Sequence, residues 1–144
     1  MWKLIFTLIF LLNASNCFAM ADEEVVMAMT KLTSLTAEEI RQDYNRCDGN
    51  TYQMKVCASY QWIAEDLRLN KIYKEMRSKA KLMGYEQSLL QSQRAWIAYR
   101  DSTCALEGQM GAGGGSAEGL YVLSCKERIT KERADGFAEL LKNE

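Results

Sequence analysis

The stretch TYQMKVCASYQWIAEDLRLNKIYKEMRSKAKLMG, residues 51–84, decides the fold. Trp62, Asp66, Leu69, Tyr73, Met76, Ala80 and Met83 recur at alternating steps of four and three, which puts them on one stripe of a helix from Thr51 to about Met83. No proline interrupts the run, and Gly84 is the residue type at which such a helix ends. A second helix is predicted from Tyr85 to about Glu107, with Leu89, Gln93, Trp96, Arg100 and Thr103 on its main stripe and Leu90, Ile97 and Cys104 beside it. So short a link favours an antiparallel hairpin. Residues Gly108 to Gly119 read as a glycine-dense loop. A third helix, from about Leu120 to Leu141, is expected to bury Leu123, Ile129, Phe137 and Leu140. The expected fold class is therefore all-α: a hairpin of two long helices with a packed third helix.

Upstream, Thr36-Ala37-Glu38-Glu39 has capping-box form, predicting a short helix from Ala37 to about Arg46, which Asp48-Gly49-Asn50 then breaks. Residues 22–35 are weakly patterned and read as a frayed lead-in, with a helical piece over Val25–Met29. The start of the chain has a different character. Met1-Trp2-Lys3, the apolar run from Leu4 to Leu12 and the exit Ala19-Met20-Ala21 have the layout of a secretory signal peptide, cut after Ala21 or, second, after Ala19. The run is too short to span a membrane, which takes about twenty apolar residues. Asn16 before Cys17 fits a lipid-attachment site poorly, so no stable membrane anchor is expected after cleavage. The expected organisation is a signal peptide over 1–21, a lead-in with a short helix over 22–46 and a helical domain over 47–144. The expected location is periplasmic or secreted.

Composition supports that placement. Removing the signal takes Cys17 and leaves Cys47, Cys57, Cys104 and Cys125, an even count in a small exported chain, which argues for two disulfides. A zinc site is disfavoured, because no two of these cysteines lie closer than Cys47 and Cys57 and the sequence holds no histidine. No metal or cofactor is expected. The pairing is open among three patterns. In a hairpin centred near Met83, Cys57 and Cys104 lie toward the open end, so we take the nested pattern (Cys57 with Cys104, Cys47 with Cys125) narrowly before the local one (Cys47 with Cys57, Cys104 with Cys125). The net charge of −1 disfavours nucleic acid, which requires a clustered basic face.

Two polar residues sit where apolar ones belong: Asp66 in the first long stripe and Arg100 in the second. Folding the hairpin near Met83 brings them close, with Asn70 and Gln93 near the same seam. A buried charge must be paired, and the planar guanidinium can hold a carboxylate with two bonds. The plain reading is a structural pair that sets hairpin register, and the functional one is an anion or peptide pocket. Gly111-Ala112-Gly113-Gly114-Gly115-Ser116 lacks the Lys-Ser/Thr of a phosphate loop. It reads as a surface connection, or as a binding loop on a rigid scaffold. Trp62, Tyr73, Trp96 and Tyr99 read as core or seam aromatics. Catalysis is not expected: there is no histidine base and no Gly-x-Ser-x-Gly elbow, and neighbouring carboxylates such as Glu38 and Glu39 read as solvated surface rather than a glycosidase pair.

Taken together, Cys47-x9-Cys57, Asp66-x-x-Leu69-Asn70-x-x-Tyr73, Gln93-Arg94-Ala95-Trp96, Tyr99-Arg100-Asp101-x-x-Cys104, and Cys125 followed by Thr130 and Arg133 resemble the LprI-type lysozyme inhibitor family. The likeness runs from about Cys47 to Leu141. It implies a small exported helical domain stapled by disulfides that inhibits lysozyme by binding rather than by chemistry. The matching motifs are architectural and carry no inhibitory residue onto this chain. A protruding loop offering donors to the acidic pair of a lysozyme cleft is the expected device, with Gly111, Gly113, Gly114, Gly115 and Ser116 as candidates and Arg94, Lys126, Arg128 or Lys131 as nearby cations. The alternatives are a general periplasmic interaction or immunity module with another partner, and a cell-wall-active enzyme.

Overall fold

The computed structural model describes residues 22–142, so the signal-peptide reading of residues 1–21 lies outside the described residues. The described chain is all-α, with five helices: α1 (Glu23–Leu32), α2 (Ala37–Tyr44), α3 (Thr51–Leu82), α4 (Glu86–Ala112) and α5 (Glu118–Lys142). Local chemistry sets the boundaries. The Asp22 carboxylate accepts from the Glu24 N–H at the head of α1. Capping boxes start α2 (Thr36 with Glu39) and α3 (Asn50 with Gln53), each satisfying two amides that a helix start leaves without partners. At the end of α3, Gly84 takes φ +80°, and the N–H groups of Tyr85 and Gly84 donate back to Ala80 and Lys81. This is a Schellman closure, for which glycine is the favoured residue.

The periodicity of α3 and α4 places one stripe of each inward, but the packing partner is not the one expected. Both helices lie closely along α5 and approach each other directly at far fewer places. The expected hairpin is thus opened by its third helix. On α5, Cys125, Ile129, Thr130, Ala134 and Phe137 are buried, and the small residues among them let two helices come near one. Leu69, Ala80 and Leu89 meet Ala134 and Phe137 in one apolar cluster, and Cys104, Cys125 and Ile129 form another toward the α4–α5 turn. Leu140, expected inside, is exposed, because α5 has passed the end of this core.

Residues 22–46 also depart from expectation. The lead-in is not frayed: α1 buries Val25, Val26 and Met29 against Ile40 of α2 and against Val56, Tyr60 and Ile63 of α3. Val26, Met29 and Ile40 have no exposed surface, and burying each stabilises the fold by roughly 1.5–3 kcal/mol. Val25, Val26 and Met29 form a stripe only one turn long, which is why the sequence pattern looked weak.

The disulfides are Cys47–Cys57 and Cys104–Cys125, with Cα atoms 5.7 and 5.4 Å apart. This corrects the preferred nested pairing. The nested pattern required α3 and α4 to face each other, whereas α5 lies between them. Each observed bridge instead spans a chain reversal, one at Asp48-Gly49-Asn50 and the other at the α4–α5 turn.

Candidate functional site

The seam between the long helices is built from pairs one turn apart: Trp62 and Asp66 on α3, Trp96 and Arg100 on α4. Arg100 is only 8% exposed. Its guanidinium carbon lies 5.1 Å from the ring centre of Trp96 and 5.8 Å from that of Trp62. Its Nη1 stands 3.5 Å from Asp66 Oδ1, and its Nε donates to Asp101 Oδ1 at 3.0 Å. The shorter partner is therefore the adjacent residue, and Asp66 is half-buried with Asn70 donating to its other oxygen at 3.1 Å. Asn70 itself faces solvent.

α5 completes the seam. Lys126 Nζ lies 4.8 Å from the ring centre of Trp62 and 3.5 Å from Asp101. Arg133 covers Phe137 at 4.2 Å and Trp96 at 5.7 Å, and it donates to Gln93 Oε1 at 3.3 Å and Ser92 Oγ at 2.9 Å. Gln93 thus serves α5 rather than the Asp66 group. The result is a ladder of alternating cations and rings: Lys126, Trp62, Arg100, Trp96, Arg133, Phe137. Such contacts are worth about 0.5–2 kcal/mol each, more where water is excluded. Burial raises the Asp101 carboxyl, but Arg100 and Lys126 outweigh it and hold the group below the usual aspartate value. Burial pushes the Arg133 guanidinium down. With its charges engaged, the seam joins three helices. Trp62 and Trp96 are the seam aromatics that the sequence suggested, whereas Asp101 and Lys126 were not expected as members of this network. The signals were present in the one-turn spacing of Trp62–Asp66 and Trp96–Arg100, and in the two-turn spacing of Lys126 and Arg133.

The glycine-rich segment is shorter than the sequence suggested. α4 continues through Ala112, and α5 begins at Glu118, leaving a turn of residues 113–117. Gly113 (φ +54°) and Gly114 (φ +80°) reverse the chain, with nothing within 4 Å of where a side chain would begin. Gly113, Gly114, Gly115 and Ser116 are exposed. Among the described residues, the N–H groups of Gly114 and Ser116 donate to no backbone carbonyl. Gly108 and Gly111, expected in the loop, sit in α4. A Cβ on Gly108 would lie 2.5 Å from Val122, and one on Gly111 would lie 2.8 Å from the Tyr121 ring. Those two glycines serve the close crossing of α4 and α5, which Cys104–Cys125 then locks. Along α5 runs a groove of about 630 Å³ whose lining includes Glu107, Tyr121, Arg128, Lys131, Glu132 and Asp135. Arg128 and Glu107 pair at 2.6 Å across it. Arg94 and Tyr99 face solvent, the latter against expectation.

No helix among the described residues is long and apolar enough to cross a membrane. The family model described as lysozyme inhibitor LprI matches residues 43–136, from the end of α2 through most of α5 and including both disulfides. An uncharacterized protein of Rhizobium meliloti (strain 1021) is 34% identical over 102 residues, covering 62% of this chain and 73% of that one. No solved structure matches. On this match, spanning well over half its length, the chain belongs to the LprI lysozyme inhibitor family.

Proposed function

We propose that this protein is exported and inhibits lysozyme by binding it, with the α4–α5 turn as the contacting surface. The observation that carries the reading is family membership over the stretch that contains this turn. The turn's chemistry supports it. A lysozyme cleft holds two catalytic carboxylates, and the Gly113–Ser116 segment offers them exposed N–H groups and the Ser116 hydroxyl, with no bulky side chain to keep the backbone away. The Cys104–Cys125 bridge and the tight Gly108 crossing brace the turn from behind, which limits the ordering cost of binding. No bond is made or broken in lysozyme. Inhibition follows from exclusion of the glycan.

The test is lysis of peptidoglycan by lysozyme in the presence of the oxidised protein, the parent chain beside Ser116→Glu. The parent slows lysis stoichiometrically. The variant places a carboxylate against carboxylates and loses at least tenfold in potency with unchanged melting. Undiminished inhibition by Ser116→Glu moves the contact elsewhere, with Arg94→Glu as the next variant. A parent that leaves lysis untouched ends the lysozyme reading.

A further inference from the structure

The α3–α4 reversal, at the opposite end of α4 from the glycine turn, carries an unusual surface. Leu82 is 90% exposed, Tyr85 59% and Met83 50%, three large apolar side chains on consecutive positions around Gly84. Single exposed apolar residues need no explanation, but a contiguous group at an apex does. The core does not use these residues, and the space beside Gly84 is open. Directly behind them lies a basic groove of about 240 Å³ lined by Lys74, Arg77, Ser78, Lys81 and Glu86. Arg77 is paired with Glu86 at 2.8 Å. Lys74 and Lys81 make no ion pair among the described residues.

We infer that this apex is a peripheral docking site for an anionic phospholipid surface, Leu82, Met83 and Tyr85 entering the interface while the Lys74–Lys81 groove holds headgroup phosphate. The layering is what selects the occupant. A bilayer presents negative charge outside and apolar chains beneath, and the apex presents an apolar point with a cationic groove behind it on one side. Tyrosine suits headgroup level, and lysine stems reach along apolar surface while keeping the ammonium in water. A second copy of this chain is disfavoured as the occupant, because tip-to-tip docking sets lysines against lysines. The contact is shallow and reversible, since three side chains fall far short of a span. α4 is 27 residues long, which sets its two ends about 40 Å apart, so a docked molecule points the glycine turn away from the membrane. The inference does not depend on lysozyme inhibition.

Vesicle flotation tests it, with all chains prepared in the same form so that any contribution of residues 1–21 cancels between parent and variants. The parent floats with phosphatidylethanolamine–phosphatidylglycerol vesicles and not with phosphatidylcholine vesicles, and added salt weakens binding by screening. Leu82→Ser with Met83→Ser reduces partitioning by about tenfold or more, and Lys74→Gln and Lys81→Gln reduce it by roughly fivefold each. The residues are exposed, so melting is unchanged. Leu82→Trp gives a blue-shifted emission component on adding phosphatidylglycerol vesicles. Partitioning that the apex variants leave intact overturns the inference, as does a parent that binds no vesicle. Self-association abolished by Leu82→Ser in the absence of lipid overturns it in favour of a dimer contact.

Discussion

Arg100 shows how one side chain can serve three helices. It leaves water for the faces of Trp62 and Trp96 and is matched by two carboxylates that themselves remain half in solvent. Removing one partner of a fully buried pair costs about 3–5 kcal/mol, and the solvent access of Asp66 and Asp101 reduces this, so Arg100→Ala is expected to cost about 2–3 kcal/mol in urea unfolding. Asp66→Asn costs less, because the amide oxygen still accepts. Arg100→Ala melting like the parent would contradict the ladder. Asp101 adds a pH dependence. Its carboxyl titrates below its unfolded value, so its contribution is present near neutrality and is lost as the pH falls through the folded value. Lys126→Ala lets that value rise, and the acid-induced drop in melting temperature should shrink. An unchanged drop would show that Lys126 does not hold Asp101. The two glycines of α4 separate by the same logic. Gly108→Ala meets Val122 and the Glu118 backbone carbonyl, and overpacking of about 1–3 kcal/mol exceeds the gain of about 1 kcal/mol in helix propensity. Gly111→Ala meets first the half-exposed Tyr121 ring, which can swing toward solvent, and should cost less than Gly108→Ala. Thermal melts rank the pair.

Among the elements, α1 and the two bridges determine how much the chain ends contribute. α1 packs Val25, Val26 and Met29 into the first core cluster, so Met29→Ala is expected to cost about 2–4 kcal/mol, whereas a frayed segment would lose nothing. Calorimetry on that single variant decides between the two. The bridges close loops of 10 and 21 residues, for which the chain-entropy relation gives about 2.7 and 3.3 kcal/mol. Cys47 is exposed and Cys104 and Cys125 are buried. Mild thiol treatment should therefore open Cys47–Cys57 first, and peptide mapping of partially reduced protein reads the order.

At the scale of the whole molecule, α3 is the shared spine. Its first half closes the α1–α2 cluster, and its second half closes the cluster with α5. No boundary divides these cores, so unfolding should be one cooperative transition. Far-ultraviolet dichroism, which follows every helix, and the fluorescence of Trp62 and Trp96, read in protein carrying Trp2→Phe, should report coincident midpoints in urea. Separated midpoints would mean that α1 and α2 open independently. The same architecture places the two candidate surfaces, the glycine turn and the apolar apex, at opposite ends of α4.

How much of this was legible in the chain depends on the range of the interactions involved. Helix identity came from local signals: the stripe from Trp62 to Met83, the Thr36–Glu39 box and the glycine closure at Gly84. All of these act within a few residues, so the linear order contains them. The family resemblance was readable for the same reason, since its motifs are short spacings, most of them within single helices. What required the tertiary structure was the choice of partner for each stripe. An inward face looks alike whether it meets α4 or α5, so a hairpin of facing helices and a hairpin held open by a third helix share one pattern. That choice in turn decided the disulfide pairing, turned Gly108 and Gly111 from loop into packing residues, and assigned Gln93 to Arg133. The weak stripe of α1 is the converse case: a few apolar residues become core only because α2 and α3 supply the remaining walls.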